Sequence, residues 1–438
     1  MPGNESCWEG RRRKHLTTRV PALHQPTSCP IAGSFGRDNI SRLLDSGRAK
    51  VSGVAPLHFA VPIWGEGYVK TFLDYSLPTQ LAPDNIPLLD KSVEHSYCIY
   101  TTRSDYERIA DAAVFHALQR AISVTVEYID AELASTRRVS ADAKYQIKSN
   151  CYRHALQRAS ERGAAVVALN ADILLANGFV RTCVNLLYGG KRIIEVPGPR
   201  GLRDPIGETL ISRYRASDGV SLVIDPVELS AVWMKHLHPL LRMHFVEGVE
   251  GAAFHPSHLY WAVGEEGIVA RCFHLYPIVV FPRRNTSVNF STTIDDDLVA
   301  NLGLPSDEIF VAQDSREIFC CELSPPEHYV GDIARRGDVG RYVEFFMNHG
   351  KHNIGNLEKE ILISGAEDLS AQWRGRRKQS ARFAHKLIKK YQKANRARDT
   401  MARRQRRLAS LKRLIPAPVK AVLKRVRATI REHGSRSQ

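Results

Sequence analysis

Apolar residues first fall into a sustained pattern at Leu57. Leu57–Ile63 is a short apolar run closed by Trp64-Gly65-Glu66-Gly67, the pattern of a buried strand entering a loop. Val69, Phe72, Leu73 and Leu77 then recur at helical spacing. Tyr97–Tyr100 reads as a second strand closed by Thr101 and Thr102, Tyr106–Leu118 as a helix, and Ser123–Ile129 as a strand rich in β-branched residues. A helix is predicted over Ala141–Arg162, with Gly163 as its C-terminal cap. Ala164–Leu169 is the most strand-like run in the chain, bounded by Gly163 and Asn170-Ala171-Asp172. A helix over Gly178–Leu187 and a strand over Arg192–Val196 follow.

Strand and helix alternating in this way predict an α/β class, with a largely parallel central sheet covered by helices on both faces. After Asp204 the order is less regular. A helix over Pro226–Leu241 leads into a His-rich stretch, then strands near Ile268–Phe273 and Ile278–Phe281. Residues 1–50 mix Pro, Gly, Ser and Arg without a period and read as an irregular extension. The expected organisation is a catalytic domain over 51–330, a helical segment over 331–371 and a helical, basic, amphipathic tail over 372–438.

Charge sharpens the last boundary. The 438-residue chain has a net charge of +16, yet 23 of its 62 Lys and Arg, against two acids, lie from Ala371 onward; the tail therefore carries +21 and the preceding residues −5. Leu408, Leu411, Leu414, Ile415, Val419, Val422, Leu423, Val426 and Ile430 recur at intervals that suit one helix stripe, with Lys and Arg around them. Such a basic amphipathic segment suits an anionic membrane surface. Nucleic acid is the alternative anionic partner, although no aromatic residues interleave with the basic ones.

No apolar stretch reaches the ~18 residues that a membrane span needs. Arg11–Arg13 are followed by no apolar run of signal-peptide length, and the eight cysteines are scattered without a Cys-x-x-Cys pair. A cytoplasmic protein with reduced thiols, peripheral on the inner face of the membrane, is expected.

In a parallel sheet, ligands bind beyond the carboxyl ends of the strands. That rule selects Pro62–Gly67 with Trp64, Thr101–Asp105 with Thr102, Asp130, and Asn170–Asp172. Asp172 at a strand end suits a divalent-cation ligand; a cap of the helix that follows is the other reading.

The order of elements around Ala164–Asp172 and Asn177-Gly178 resembles the A-type-fold glycosyltransferases of bacterial polysaccharide and sugar-modification loci, over roughly Pro56–Pro282. The resemblance implies a nucleotide-diphospho-sugar transferase-like fold and transfer of a sugar from a nucleotide-sugar donor to a saccharide, lipid-linked or protein acceptor. It implies metal assistance, by manganese or magnesium held on Asp172. The acidic Asp-x-Asp motif of those enzymes stands here as Asn170-Ala171-Asp172, so the first acid is missing. The stretch Lys148–Arg153 is similar to the one that faces the nucleotide, which points to Asn150 and Arg153. His274, late in the domain, corresponds to a second metal ligand in that resemblance, or is a packed aromatic neighbour.

Asp295-Asp296-Asp297 offers like charges close enough to raise a pKa for a catalytic base; a helix N-terminus is the other reading. The cluster His236, His238, His244, His255 and His258 leaves open a metal-dependent hydrolase. No His-Glu-x-x-His, Gly-x-Ser-x-Gly or Walker loop supports a different enzyme class.

Overall fold

A computed structural model describes residues 55–136, 143–247, 257–327, 339–349 and 353–414. The extension 1–50, His255 and the part of the apolar stripe beyond Leu414 lie outside these residues. In chain order the strands are β1 (Leu57–Pro62), β2 (Ser96–Thr101), β3 (Ser123–Tyr128), β4 (Ala165–Ala168), β5 (Ile173–Leu175), β6 (Ile193–Val196) and β7 (Arg200–Leu202). They continue as β8 (His258–Val263), β9 (Gly267–Cys272), β10 (Tyr276–Val280), β11 (Ile309–Val311), β12 (Cys320–Ser324) and β13 (Ile361–Ser364).

The central sheet has the order β11-β6-β10-β4-β1-β2-β3. Neighbours run parallel except at β10, which is antiparallel to both β4 and β6. Side-chain alternation divides the core. Phe59, Val61, Tyr97, Ile99 and Val167 face Phe72, Phe115 and Phe179 on one side. Ala60, Cys98, Val166 and Ala168 face Tyr152, Ala155, Leu156 and Ala159 of the helix Ala143–Arg162 on the other. Small residues on both partners of that second layer let the helix lie close to the sheet. The α/β class and the mostly parallel, helix-covered sheet thus agree with the pattern of the sequence.

Two smaller sheets stand beside the central one, and of their strands the sequence pattern marks β9, expected near Ile268–Phe273 and found at Gly267–Cys272. One has the order β5-β12-β7 and packs with the helices Arg203–Tyr214 and Pro226–Lys235. The other, β13-β9-β8, is antiparallel throughout. The three-residue strands β5 and β7 are too short to show a period of their own.

Three boundaries also differ. The helix expected over Tyr106–Leu118 is two helices, Arg103–Ala110 and Ala113–Ala121, broken at Asp111-Ala112. The helix expected over Pro226–Leu241 ends at Lys235, and a 3-10 turn follows over Pro239–Met243. The segment 331–371, expected to be helical, contains β13 as well as the helix Val339–Asn348, because Ile361–Ser364 finds an open edge at β9.

The tail is likewise not a free appendage from its start. The helix Ala371–Leu414, about 66 Å long at 1.5 Å per residue, buries Trp373, Leu387 and Tyr391 against the β13-β9-β8 layer. Trp373 donates its indole N–H to Glu266 at 2.9 Å. Its ring lies over Gly267, where a Cβ would collide with it. Arg398 still reaches the Met347 carbonyl at 2.9 Å. Farther on, Met401 and Leu408 are 63% and 57% exposed, among exposed arginines at 403, 404, 406 and 407. No helix among the described residues is long and apolar enough to cross a membrane.

Candidate functional site

Chain order reverses at β1: β2 and β3 extend to one side of it, and β4 lies on the other. That topological switch point leaves a crevice beyond the carboxyl ends of β1 and β4, where ligands settle in open α/β sheets. A solvent-open cleft lies there. Pro62 and Trp64 follow β1 into it, and Asn170, Ala171 and Asp172 follow β4. Tyr68 enters from the helix Glu66–Thr71, and Lys144, Tyr145 and Lys148 from the start of the helix Ala143–Arg162. Arg200 of β7 and Glu322 of β12 close the wall.

The small sheet explains how distant residues meet. Glu322 is in register with Ile173 on one side and with Arg200 on the other. Leu323 donates its amide to the Asp172 carbonyl at 2.8 Å, fixing the turn that follows β4. Arg200 Nε stands 3.2 Å from Glu322 Oε2, and Asn170 Nδ2 donates to Glu322 Oε1 at 2.6 Å. Asn170 Oδ1 lies 2.9 Å from the Tyr152 hydroxyl and 3.4 Å from that of Tyr276. The two hydroxyls are themselves 3.1 Å apart.

This network accounts for the amide at position 170. An aspartate there would lose the donor to Glu322 and set two carboxylates in contact at a buried position. Asp172 is left as the carboxyl open to the cleft. Burial, then the neighbouring charge of Glu322, push its pKa up to about 7 against the opposing pull of Arg200 and Lys148. Burial works against the charge of Arg200, but Glu322 and Asp172 outweigh it and hold the guanidinium charged.

The residues expected at the site divide three ways. Pro62, Trp64 and Asp172 line the cleft. Thr101, Thr102 and Asp105 stand behind it. Thr101 is buried. Thr102 caps the helix Arg103–Ala110 by accepting from the Asp105 amide. Asp105 Oδ2 accepts from the Gly65 amide at 2.9 Å. Gly65 has φ of 86°, which glycine adopts without strain, so this bond fixes the turn that carries Trp64. Asn150 and Arg153 lie on a different helix face: they bond to each other at 2.7 Å, and Arg153 reaches the Phe290 carbonyl at 2.9 Å. The helix gives the cleft Lys144, Tyr145 and Lys148 instead, because residues at i, i+1 and i+4 share a face that i+6 and i+9 leave.

The Asp triplet also divides. Asp297 accepts from the Ser291 amide at 2.7 Å and hydroxyl at 2.5 Å. Burial raises its pKa, but these bonds outweigh it, so the net shift is downward, opposite to that expected of a base. Asp296 accepts from the Thr292 hydroxyl at 2.8 Å. Asp295 alone lies near the hydroxyl network, and its charge helps raise the pKa of Tyr276, after burial and Glu322.

The residues present do not form a cage for a divalent cation. His274 is not among the residues lining the cleft; it sits edge-on to Phe273, with ring centroids 4.7 Å apart. Both oxygens of Glu322 are engaged, and Asn170 Oδ1 faces two hydroxyls. Among the described residues no three His, Cys, Asp or Glu side chains converge to hold a metal ion. Of the His-rich stretch, His238 is buried between the Pro325 carbonyl and the Leu240 amide, and His255 lies outside the described residues.

Arg200 and Glu322 were not read from the sequence as site residues. Glu322 did leave a signal, as the single acid inside the apolar run Ile318–Leu323, a position that requires a buried partner. Arg200, Tyr68 and Lys144 left none. Neither family models nor curated proteins give a match to this chain.

Proposed function

We propose that this protein is a glycosyltransferase that takes a sugar from a nucleotide-sugar donor bound in the switch-point cleft and passes it to a saccharide, lipid-linked or protein acceptor. One observation carries the reading. Cations and an open carboxyl stand side by side at the carboxyl end of β4, in a crevice that also presents flat aromatic faces. Trp64, Tyr68 and Tyr145 suit a nucleobase or a sugar ring, and the cations suit a phosphate. The sheet order, with β10 returning antiparallel between β4 and β6, supports a nucleotide-diphospho-sugar transferase-like fold.

In the transfer, an acceptor hydroxyl oxygen bonds to the anomeric carbon. The bond from that carbon to the diphosphate oxygen breaks, and the nucleoside diphosphate leaves with the electron pair. The hydroxyl proton goes to a carboxylate. Asp172 is assigned that role, since a group with a pKa near the working pH exchanges protons best.

The exposed end of the helix Ala371–Leu414 is proposed to lie on an anionic membrane surface, where its arginines meet lipid headgroups. That placement suits a lipid-linked acceptor. A thermal-shift screen against uridine, guanosine, cytidine, adenosine and thymidine diphospho-sugars tests the donor assignment. A rise in melting temperature with one nucleotide series supports it, and none with any series contradicts it.

A further inference from the structure

Lys144 and Lys148 stand one helical turn apart on the face that lines the cleft. The Lys144 ammonium lies 5.1 Å from the Tyr145 ring centre and that of Lys148 lies 5.9 Å from the Tyr152 ring centre. Neither lysine forms an ion pair among the described residues. Two ammonium groups without a salt-bridge partner on one wall of a concave site are ready for an anion. Arg200 joins them across the cleft, with its Nε 3.2 Å from Glu322.

The charges in the cleft decide which anion and which helper. Lys144, Lys148 and Arg200 face Asp172 and Glu322, a balance of +1 with every group ionised. A divalent cation would enter a site that already carries positive charge. It would find one carboxyl free, because Glu322 is held by Arg200 and by the Asn170 amide. A diphosphate meets donors already in place.

We propose that the cleft holds the diphosphate of a nucleoside diphosphate through Lys144, Lys148 and Arg200, with no divalent cation. The proposal rests on the transferase reading and adds to it that side-chain cations neutralise the leaving group. Lys148 lies close enough to Asp172 for its charge to be felt there. It therefore stands beside both the departing diphosphate and the group that takes the proton. Arg200 is fixed by Glu322 and presents its remaining N–H donors in a rigid fork.

Isothermal titration calorimetry on the full chain with uridine, guanosine, cytidine, adenosine and thymidine diphosphates tests this, first in excess chelator and then with manganese or magnesium added. The expected result is binding of at least one nucleotide in chelator, with the same Kd after the metal is added. Lys144→Gln and Lys148→Gln each weaken it by about tenfold, the loss of one charge-assisted contact. Both changes lie on the cleft-facing side of a helix, and unchanged melting temperatures will show that the fold is kept. Binding that appears only with added metal overturns the proposal and leaves the transferase reading standing, as does wild-type affinity in both lysine variants. No binding of any nucleotide, with or without metal, removes the nucleotide reading of the cleft and this inference with it.

Discussion

Arg200 and Glu322 are joined twice: they are register partners in the parallel pair β7–β12, and their side chains meet at 3.2 Å in the cleft wall. The backbone pairing brings the guanidinium to the acid, and Asn170 takes the other carboxylate oxygen. Removing one partner strands a largely buried charge. Arg200→Ala is expected to lower stability by about 1–3 kcal/mol. Combining it with Glu322→Ala should recover part of that loss, giving a coupling of about 0.5–3 kcal/mol in a double-mutant cycle by urea denaturation. Strict additivity would show that the pair has no energetic link.

Asp172 makes a pH dependence of known sign. Its pKa in the fold, about 7, lies above the ordinary 3.8, so the folded state holds its proton more tightly than the unfolded chain does. Stability from this group is therefore full below the ordinary value and is lost as pH rises from there through the folded value. The melting temperature of the wild type should fall relative to Asp172→Asn between about pH 4 and 7. Taking the difference cancels Glu317, which burial likewise pushes up to about 7. A constant difference across that range would remove the raised proton affinity from Asp172.

Asp297 is expected to serve the loop and not the reaction. Asp297→Ala frees the Ser291 amide and hydroxyl and should cost about 1–3 kcal/mol, with donor turnover at the wild-type level. Chemical denaturation and a nucleotide-release assay on the same preparation check both parts. An unchanged stability with lost turnover would return Asp297 to the chemistry.

The distal helix gives a prediction about membranes. Arg403, Arg404, Arg406 and Arg407 lie beyond Arg398, the residue that bonds to the Met347 carbonyl, so changing them leaves the packed Trp373–Tyr391 section intact. Full-length protein should sediment with phosphatidylserine-containing vesicles, more weakly as salt rises. Changing all four arginines to Gln should weaken binding by about 4 kcal/mol, at roughly 1 kcal/mol each. Equal sedimentation with neutral and anionic vesicles would sink this placement.

The apolar runs of the central sheet and β9 are legible in the sequence, and the pairing that builds the two small sheets is not. Leu57–Ile63 and Ala164–Leu169 announced buried central strands, and the rule about carboxyl ends led from them to Pro62, Trp64 and Asp172, all in the cleft wall. The helix Ala143–Arg162 is legible as an element; of the stretch Lys148–Arg153, Lys148 joins Lys144 and Tyr145 in the cleft, whereas Asn150 and Arg153 do not line it. A hydrophobic period locates the buried face of a helix; it does not say which polar flank borders a cavity. Arg200 and Glu322 are 122 residues apart and meet through the three-stranded sheet, a long-range pairing whose one local trace is the lone acid in the apolar run Ile318–Leu323. The basic tail was legible as charge, whereas the packing of Trp373, Leu387 and Tyr391 was hidden among the cations around them.

The central claim is that Asp172 takes the acceptor proton for a nucleotide sugar bound in this cleft. Steady-state release of nucleoside diphosphate, measured with the donor that most raises the melting temperature, tests it most directly in the wild type and in Asp172→Asn. The expected result is a fall in kcat of about 10²-fold or more in the variant, within the range for losing a positioned base, with nucleoside diphosphate Kd unchanged. Equal turnover in the two proteins, or no turnover of any nucleotide sugar by the wild type, would contradict it.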